Sequence, residues 1–562
     1  MKEDVKGLYL AILLSAIAIL VVNLIWPAQE TIVEEKPVAE IKVSKNINKP
    51  VENKSDEELY SSEKRNLISV DEALKQDKRV ALKNDKISGS IRIKGARFDN
   101  IYLSNYKQSL DENSSDVELL MPAETLTPYF AEFGWLSVDN SVKLPKSDTV
   151  WKVIGKELTP DTPITLEWSN GAGIKFVRRI SLDKNYMFDI EQIVENNSGK
   201  DIKLYPYGMV NRVYNAEGST SVVHEGMLGV VDGKLREFKS KDLDEGEKEE
   251  FTTKGGWAGF GERYWFSAFT LNNGQESNVR FSKNDKDTYQ SDFVGAAVDI
   301  ANGSVATNKT QFYAGAKEIA LLDEYAKMHD IQKFDLAVDF GWYYFLTKPF
   351  FYILDFLYKM IGNMGWAIII FAALLRLAMF PVANKSYENM SKMKKVQPKI
   401  QSIQETYKND KIRLQQEMME LYKKEKINPA SGCLPMFIQI PVFFSLYKVL
   451  NIAIEIRHAE FIGWIKDLSA PDPMTLSYIT GLPIPVFFDL GIWPIFMGLT
   501  MFLQQKLSPK PANKDQARMF ALMPIFFTFM LGHFASGLVI YWTLSNILSI
   551  IQQKAIMKKV GA

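Results

Sequence analysis

The sequence predicts a polytopic α-helical membrane protein of six spans, with a large extracytoplasmic all-β sandwich domain and a cytoplasmic helical hairpin. Three observations support this fold class. Long apolar runs are concentrated at the N-terminus and after residue 340. Between them lie many short strand-like segments separated by Gly and Asn turns, which is typical of a sandwich. A basic, amphipathic segment then follows the second apolar run.

The apolar runs are long enough to cross a bilayer as helices, since one span needs about 20 apolar residues. They cover residues 8–26, 364–382, 434–454, 487–503 and 519–551. The last run is too long for one helix, and small or polar residues around Gly532 and His533 interrupt it, so we expect a hairpin of two short helices. The first run lacks a small-residue cleavage site and is interpreted as an uncleaved signal anchor, with a cleaved signal peptide as the alternative.

Lysine and arginine are unevenly distributed among the short loops, and this asymmetry sets the orientation of the spans. The only lysine or arginine residues within the range 457–486 are Arg457 and Lys466. The basic segments are 383–427, 506–518 and 554–559. We therefore expect the basic segments and both termini in the cytoplasm, and residues 27–348 outside it.

Residues 341–361 have apolar side chains at helical spacing on one face and Lys348, Asp355 and Lys359 on the other. This pattern predicts a helix lying in the membrane interface rather than a further span. The predicted divisions of the chain are a signal-anchor span 1–27, a disordered tether 28–62, an external β domain 63–340, an interfacial helix 341–361, a second span 362–382, a cytoplasmic helical hairpin 383–432, a third span 433–454, an external loop 455–486, a fourth span 487–506, a cytoplasmic loop 507–518, two short spans 519–552 and a cytoplasmic tail 553–562.

The composition excludes several functional classes. Positive and negative charges balance, so the chain has no net charge that would attract DNA, and the single cysteine, Cys433, excludes a disulfide framework. The external domain contains two histidines, His224 and His329, without metal-ligand neighbours, and it has no phosphate loop or nucleophile elbow. We therefore expect that the protein is not an enzyme and that it binds neither a cofactor nor a metal ion. A docking or scaffolding role is favoured for this domain, with sugar or lipid binding as the alternative.

Arg376 lies inside the second apolar run, where a charge that cannot be neutralised is costly. Pro381 follows shortly after it, so the side chain could snorkel to the cytoplasmic interface. It could instead face water or a partner within a cavity. The residues alone leave both interpretations open.

The segment after Pro381 is basic and amphipathic, with apolar residues such as Met390, Met393 and Val396 three or four positions apart. Asn409 and Asp410 interrupt the pattern, which predicts two antiparallel helices. The hairpin is either self-contained with solvated lysines or a surface for an anionic partner, such as lipid headgroups or ribosomal RNA.

Four strings of the sequence are long and specific. They are LLRLAMFP (374–381), QPKIQ (397–401), QQEMMELYKKEKINPASGCLPMFIQIPVFFSLY (415–447) and SGLVIYWTLSNILSIIQQ (536–553). Through them the chain resembles the YidC family of membrane protein insertases, in its Gram-negative form, over nearly its whole length. The resemblance implies a β-supersandwich in the periplasm, followed by an interfacial helix, and a groove of five spans. This groove would be open to the cytoplasm and to lipid, closed on the outer side, and its single positive charge corresponds to Arg376.

Two positions depart from the family pattern. A hydroxyl residue is frequent four positions before the arginine, where this chain has Ala372, and Trp542 follows Tyr541 where a second tyrosine is frequent. Groove polarity is therefore expected to rest on Gln439, Thr528, Ser545 and Asn546, although serine and asparagine in spans also bond to neighbouring helices. The helices that contact substrate are expected to include Pro435, Ile440, Pro441, Pro524, Ile525, Met530, Tyr541 and Trp542, and the prolines among them could also simply kink their helices.

The resemblance implies a membrane protein insertase and folding chaperone of the bacterial inner membrane that works without covalent chemistry. Its expected partners are nascent membrane proteins, the Sec translocon, ribosomes bound through the cytoplasmic loops, and membrane lipids. One alternative is a secondary transporter or channel that uses Arg376 to bind an anion, but no internal repeat supports it. A scaffold that only anchors the sandwich would leave Arg376 without a purpose.

Overall fold

The computed structural model describes residues 67–138, 142–214, 224–239, 242–285, 287–425, 434–508 and 514–560. The predicted signal anchor and tether lie outside these residues. The chain divides into two compact units. Apart from the gaps just given, the β unit comprises residues 67–106, 116–315 and 322–337, and the helical unit comprises residues 107–115, 316–321 and 338–560.

Strands dominate the β unit, as the alternating segments predict. Their bounds are β1 Arg79–Lys83, β2 Ile87–Arg92, β3 Arg97–Lys107, β4 Asp116–Leu120, β5 Tyr129–Leu136, β6 Lys152–Ile154, β7 Glu157–Leu158, β8 Ile164–Ser169, β9 Ile174–Leu182, β10 Met187–Asn196, β11 Ile202–Val213, β12 Gly226–Val231, β13 Lys234–Lys239, β14 Lys248–Thr253, β15 Gly256–Gly261, β16 Trp265–Leu271, β17 Ser277–Asp285, β18 Thr288–Gly295, β19 Val298–Ile300 and β20 Ser304–Ala316.

These strands form two sheets. The first has the order β14-β17-β18-β11-β5-β3-β2-β1-β7, with β19 paired to β11 and β4 to β3. The second has the order β13-β12-β15-β16-β20-β10-β9-β8-β6. Neighbours such as β9 and β10 pair antiparallel, whereas β1 and β7 pair in parallel.

Side chains of the two sheets interdigitate to form the core. Phe98 of β3 packs against Phe133 of β5, Phe188 of β10 and Phe312 of β20, with ring centroids 5.9, 5.3 and 5.5 Å apart. All four rings are buried. Strands of both sheets thus contribute to one aromatic cluster, which confirms the predicted β-sandwich.

The helices are α1 Val70–Gln76 and α2 Ile319–Met328, followed by α3 Tyr344–Ile361, α4 Met364–Ala378, α5 Phe380–Thr406, α6 Lys411–Lys424, α7 Leu434–Ile452, α8 Leu476–Thr480, α9 Ile492–Leu507, α10 Lys514–Leu531 and α11 Ser536–Val560. In the helical unit, α11 packs against α4, α5, α7 and α9. The C-terminal region is therefore helical, as predicted.

Within the described ranges, no single helix is both long and apolar enough to cross a bilayer by itself. One bent pair meets that criterion, α4 and α5, whose axes differ by 66°. Pro381 lies in the first turn of α5, and the Met379 N–H at the bend donates to the carbonyls of Leu375 and Leu377. The bend is thus a proline-containing junction of two helices.

Candidate functional site

Arg376 lies in the last turn of α4 and is half-buried. Its Nη2 donates to the Ser545 carbonyl at 2.9 Å, to the Ser545 hydroxyl at 2.8 Å and to the Ser549 hydroxyl. The two serines are one helical turn apart, so they lie on the same face of α11. The arginine is therefore held to α11 by neutral oxygen atoms.

Arg376 has no carboxylate within ion-pair distance among the described residues. Its charge is consequently solvated by dipoles and is not cancelled. Ala372, one turn earlier on α4, is buried and offers no hydroxyl. The polar contacts of Arg376 therefore come from α11 and not from its own helix.

Gln439 of α7 extends this polar region, because its Nε2 donates to the Tyr541 hydroxyl at 3.0 Å. Tyr541 is buried on α11, one turn before Ser545. Asn546 has a different environment. Its Nδ2 donates to the Thr500 hydroxyl of α9 at 3.1 Å, and both residues are buried. Asn546 thus joins α11 to α9.

Thr528 lies where α9 and α10 approach closely. A Cβ added to Gly498 would come within 2.1 Å of the Thr528 hydroxyl oxygen, so a larger residue could not occupy this position without a shift. Thr528 itself donates to the Pro524 carbonyl at 2.7 Å. Because Pro524 has no N–H, the Phe520 carbonyl loses its helical donor. The Gln505 side chain of α9 donates to that carbonyl instead.

The remaining predicted contact positions divide into exposed and packed residues. Ile440, Ile525 and Met530 are exposed, by 43%, 56% and 42%. Trp542 instead packs with Phe443, with ring centroids 4.8 Å apart. Pro441 is half-buried in α7, Pro524 is buried in α10, and the Pro435 side chain lies outside the described part of the chain.

The structure also brings polar residues to the site that the sequence analysis did not single out. Ser549 contacts Arg376, Thr500 contacts Asn546, and Gln505 contacts the Phe520 carbonyl. Further along α11, Gln552 donates to the Asn384 side chain of α5 at 2.8 Å. The Ser445 hydroxyl and the Gln553 side-chain oxygen are buried without a hydrogen-bond partner among the residues that the structure describes.

The connection between α7 and α9, residues 453–491, covers one end of this helix group. It supplies acceptors to the first N–H groups of α11, which have no partner within the helix. The Ser536 N–H donates to the Ala470 carbonyl at 2.7 Å and the Gly537 N–H to the Leu468 carbonyl at 3.0 Å. Buried Asp472 then fixes the connection, accepting from Trp464 Nε1 at 2.8 Å and from the Trp493 N–H at 2.8 Å. This end is therefore closed by backbone and side-chain hydrogen bonds.

Fold and site together define a class of protein in which a large β-sandwich domain is followed by apolar helices that carry a hydrogen-bonded arginine. The family described as 60Kd inner membrane protein matches residues 356–562, and the YidC periplasmic domain matches residues 79–353. The membrane protein insertase YidC of Rickettsia akari (strain Hartford) is 47% identical over 491 residues, which are 86% of this chain and 88% of that protein. The chain belongs to the family of YidC membrane protein insertases.

A second relative points to the same family. The membrane protein insertase YidC of Rickettsia bellii (strain OSU 85-389) is 45% identical over 499 residues, which are 87% of this chain and 89% of that protein. A solved structure of an active YidC insertase with its first transmembrane domain resolved is 16% identical, with a TM-score of 0.37, and the match covers 85% of this chain and 92% of that chain.

Proposed function

We propose that this membrane protein insertase receives hydrophilic segments of nascent membrane proteins in a hydrated groove around Arg376 and releases their apolar helices into lipid. The observation that carries the proposal is the set of partners of Arg376, which are all neutral. A permanent charge solvated only by dipoles holds water at membrane depth and can attract an opposite charge. In that low-dielectric setting the attraction is several-fold larger than in bulk water.

The polar residues beside Arg376 would extend the groove. Gln439 and Tyr541 place an amide and a hydroxyl next to it. Exposed Ile440, Ile525 and Met530 offer apolar contacts to a helix that leaves sideways. A substrate could thus keep its hydrophilic part near water while its apolar part partitions into lipid, which contributes about 25 cal/mol per Å² of apolar surface buried.

The closed end of the helix group supports an orientation for this groove. Residues 457–486 contain two basic residues, whereas the opposite loops are lysine-rich, so we place the α7–α9 connection in the periplasm and α5–α6 in the cytoplasm. The proposed arrangement is a multi-pass protein of the bacterial inner membrane with six spans. The Sec translocon, the ribosome at the basic cytoplasmic loops, and lipids are its proposed partners.

The role of the Arg376 charge can be tested by measuring the insertion of one model substrate whose translocated tail carries an acidic, neutral or basic segment. Arg376→Lys should retain insertion, because a positive charge suffices. Arg376→Ala should impair acidic tails most, neutral tails less and basic tails least, because the lost positive charge attracts acids and repels bases. Ser549→Ala is the matched control, since it removes one acceptor and keeps the charge, so its dependence on tail charge should equal that of the wild type. Insertion is measured by protease protection at equal protein levels.

A purely structural role for Arg376 predicts another pattern. The Ala variant would then lose stability, and its insertion would fall by the same factor for every tail. That result would reject the electrostatic groove.

A further inference from the structure

Two polar residues of the second sheet, Arg178 and Gln192, lie on its inner face at positions where apolar side chains are expected. In β9 the even-numbered side chains, such as Phe176 and Ile180, point into the core, and Arg178 lies between them. In β10, Gln192 lies directly opposite Arg178 in the strand register. Arg178 is 3% exposed and Gln192 is 1% exposed. A buried arginine and a buried amide are thus cross-strand neighbours inside the sandwich.

Arg178 is a buried cation without an ion pair. Its Nη1 donates to the Ala96 carbonyl at 2.9 Å, its Nη2 donates to the Phe133 carbonyl, and its guanidinium lies over the Trp151 ring at 5.1 Å from the centroid. Within the described part of the chain, no carboxylate lies within ion-pair distance of it. Burial lowers the pKa of Arg178 to about 10, so the group is still charged at neutral pH.

A cavity of about 20 Å³ adjoins these side chains and is lined by Arg178, Gln192 and Trp151. One N–H-bearing atom of each residue is buried without an acceptor among the described residues: Arg178 Nε, Gln192 Nε2 and Trp151 Nε1. Exposed Lys146 also lines the cavity. The carboxylate at its wall, Glu132, is bonded to Arg97. The cavity therefore has an excess of hydrogen-bond donors and of positive charge.

We propose that this cavity binds a small inorganic anion of the halide class, for which chloride is the natural occupant. A buried guanidinium that lacks an ion-pair partner and buried donors that lack acceptors are each costly, and one anion relieves both costs. Its size also fits, because the cavity, at about 20 Å³, exceeds the roughly 10–15 Å³ that one water molecule needs and so admits a monatomic ion. A single water molecule accepts two hydrogen bonds and carries no charge, so it would leave a donor unsatisfied and the guanidinium without a counter-ion.

The site can be tested on the full-length protein in detergent by thermal unfolding of the β unit. Chloride is compared with gluconate at equal ionic strength, because gluconate is too large for the cavity. At chloride about tenfold above its Kd, the wild-type melting temperature should be about 3 °C higher than in gluconate. Gln192→Met removes one donor at similar volume and should lose most of this difference, as should Trp151→Phe.

Arg179→Gln is the matched control. Arg179 follows Arg178 on β9 but points to the outer face, where it pairs with Glu191 at 2.9 Å. Its replacement should leave the chloride effect unchanged. Equal melting temperatures of the wild type in the two salts would overturn the proposal.

A second measurement does not depend on any variant. Wild-type crystals grown in bromide should show an anomalous peak in the cavity beside Arg178. Density for water there, without an anomalous peak, would also overturn the proposal and leave Arg178 as a hydrated structural residue.

Discussion

Asp472 is the residue whose replacement should open the closed end of the helical unit. Its carboxylate is 4% exposed and accepts three hydrogen bonds, from Trp464 Nε1 at 2.8 Å, from the Met474 N–H at 3.0 Å and from the Trp493 N–H at 2.8 Å. The last donor belongs to the first turn of α9. One side chain therefore joins two parts of the connection to the start of a helix.

The loss of stability expected for Asp472→Ala follows from the number and type of these hydrogen bonds. A hydrogen bond to a charged group contributes about 1.5 kcal/mol or more, and Asp472→Ala leaves three partly buried donors without their acceptor. Because the three bonds share one carboxylate, their energies do not add fully, and we expect a loss of about 3–4 kcal/mol. At about 3 °C per kcal/mol, the melting temperature should fall by about 10 °C. Asp472→Asn keeps one acceptor oxygen but replaces the other with an NH2 group that faces the Trp493 N–H. We therefore expect the melting temperature to fall by about a third as much as in Asp472→Ala.

Unfolding of the helical unit can be followed separately from that of the β unit. A cysteine is introduced at Val539, which is 2% exposed on α11, in a chain whose native Cys433 is replaced by serine. Its reaction with a thiol reagent on heating reports exposure of α11. Asp489→Ala is the control, because Asp489 is a less buried carboxylate of the same connection that binds Ser477. If Asp472→Ala shifted the transition no more than Asp489→Ala, the assigned role of Asp472 would be wrong.

Two further predictions concern topology and pH. A reporter inserted at exposed Gly481 should be periplasmic and one at Lys408 cytoplasmic, and the opposite signals would refute the six-span arrangement. Burial, with the nearby charges of Glu318 and Asp355, raises the pKa of Glu455 to about 8. Because the folded state then favours the protonated form, stability should fall as pH rises from about 4.3, the unfolded pKa, to about 8. Glu455→Gln should remove this fall in thermal-unfolding scans between pH 6 and pH 9, and an unchanged slope would contradict the assignment.

Local sequence patterns predicted the class of the β unit but could not predict its topology. Alternation of apolar and charged residues in β10, such as Phe188 and Ile190 against Asp189 and Glu191, marks a strand with one buried face. Its pairing with β20 joins Asn196 to Ser304, more than a hundred residues apart. No local pattern encodes such a pairing, because the register is decided by how the whole set of apolar faces packs.

Local sequence also could not predict which helices the polar residues around Arg376 contact. Ser545 and Asn546 are neighbours in sequence and both are predicted to line the groove, yet adjacent residues of a helix point about 100° apart. Ser545 therefore contacts Arg376 of α4, whereas Asn546 contacts Thr500 of α9. A usable signal was present for Ser549, since it lies four residues after Ser545 and must share its face. Which neighbouring helix that face meets depends on packing alone.

Two arginines of this chain follow the same electrostatic rule in different surroundings. Arg376 and Arg178 both donate to neutral oxygen atoms, and neither has a carboxylate partner among the described residues. Neutral acceptors stabilise a guanidinium without cancelling its charge, so each site still attracts an anion. At Arg178 the cavity has room only for a small ion, and the expected result is fixed binding that stabilises the β unit. At Arg376 the side chain is half-buried beside exposed apolar residues, so an acidic segment of a substrate can approach and leave. An ion held permanently at Arg376 would remove the expected dependence of insertion on tail charge, and for that reason the tail-charge series is the decisive test of the groove.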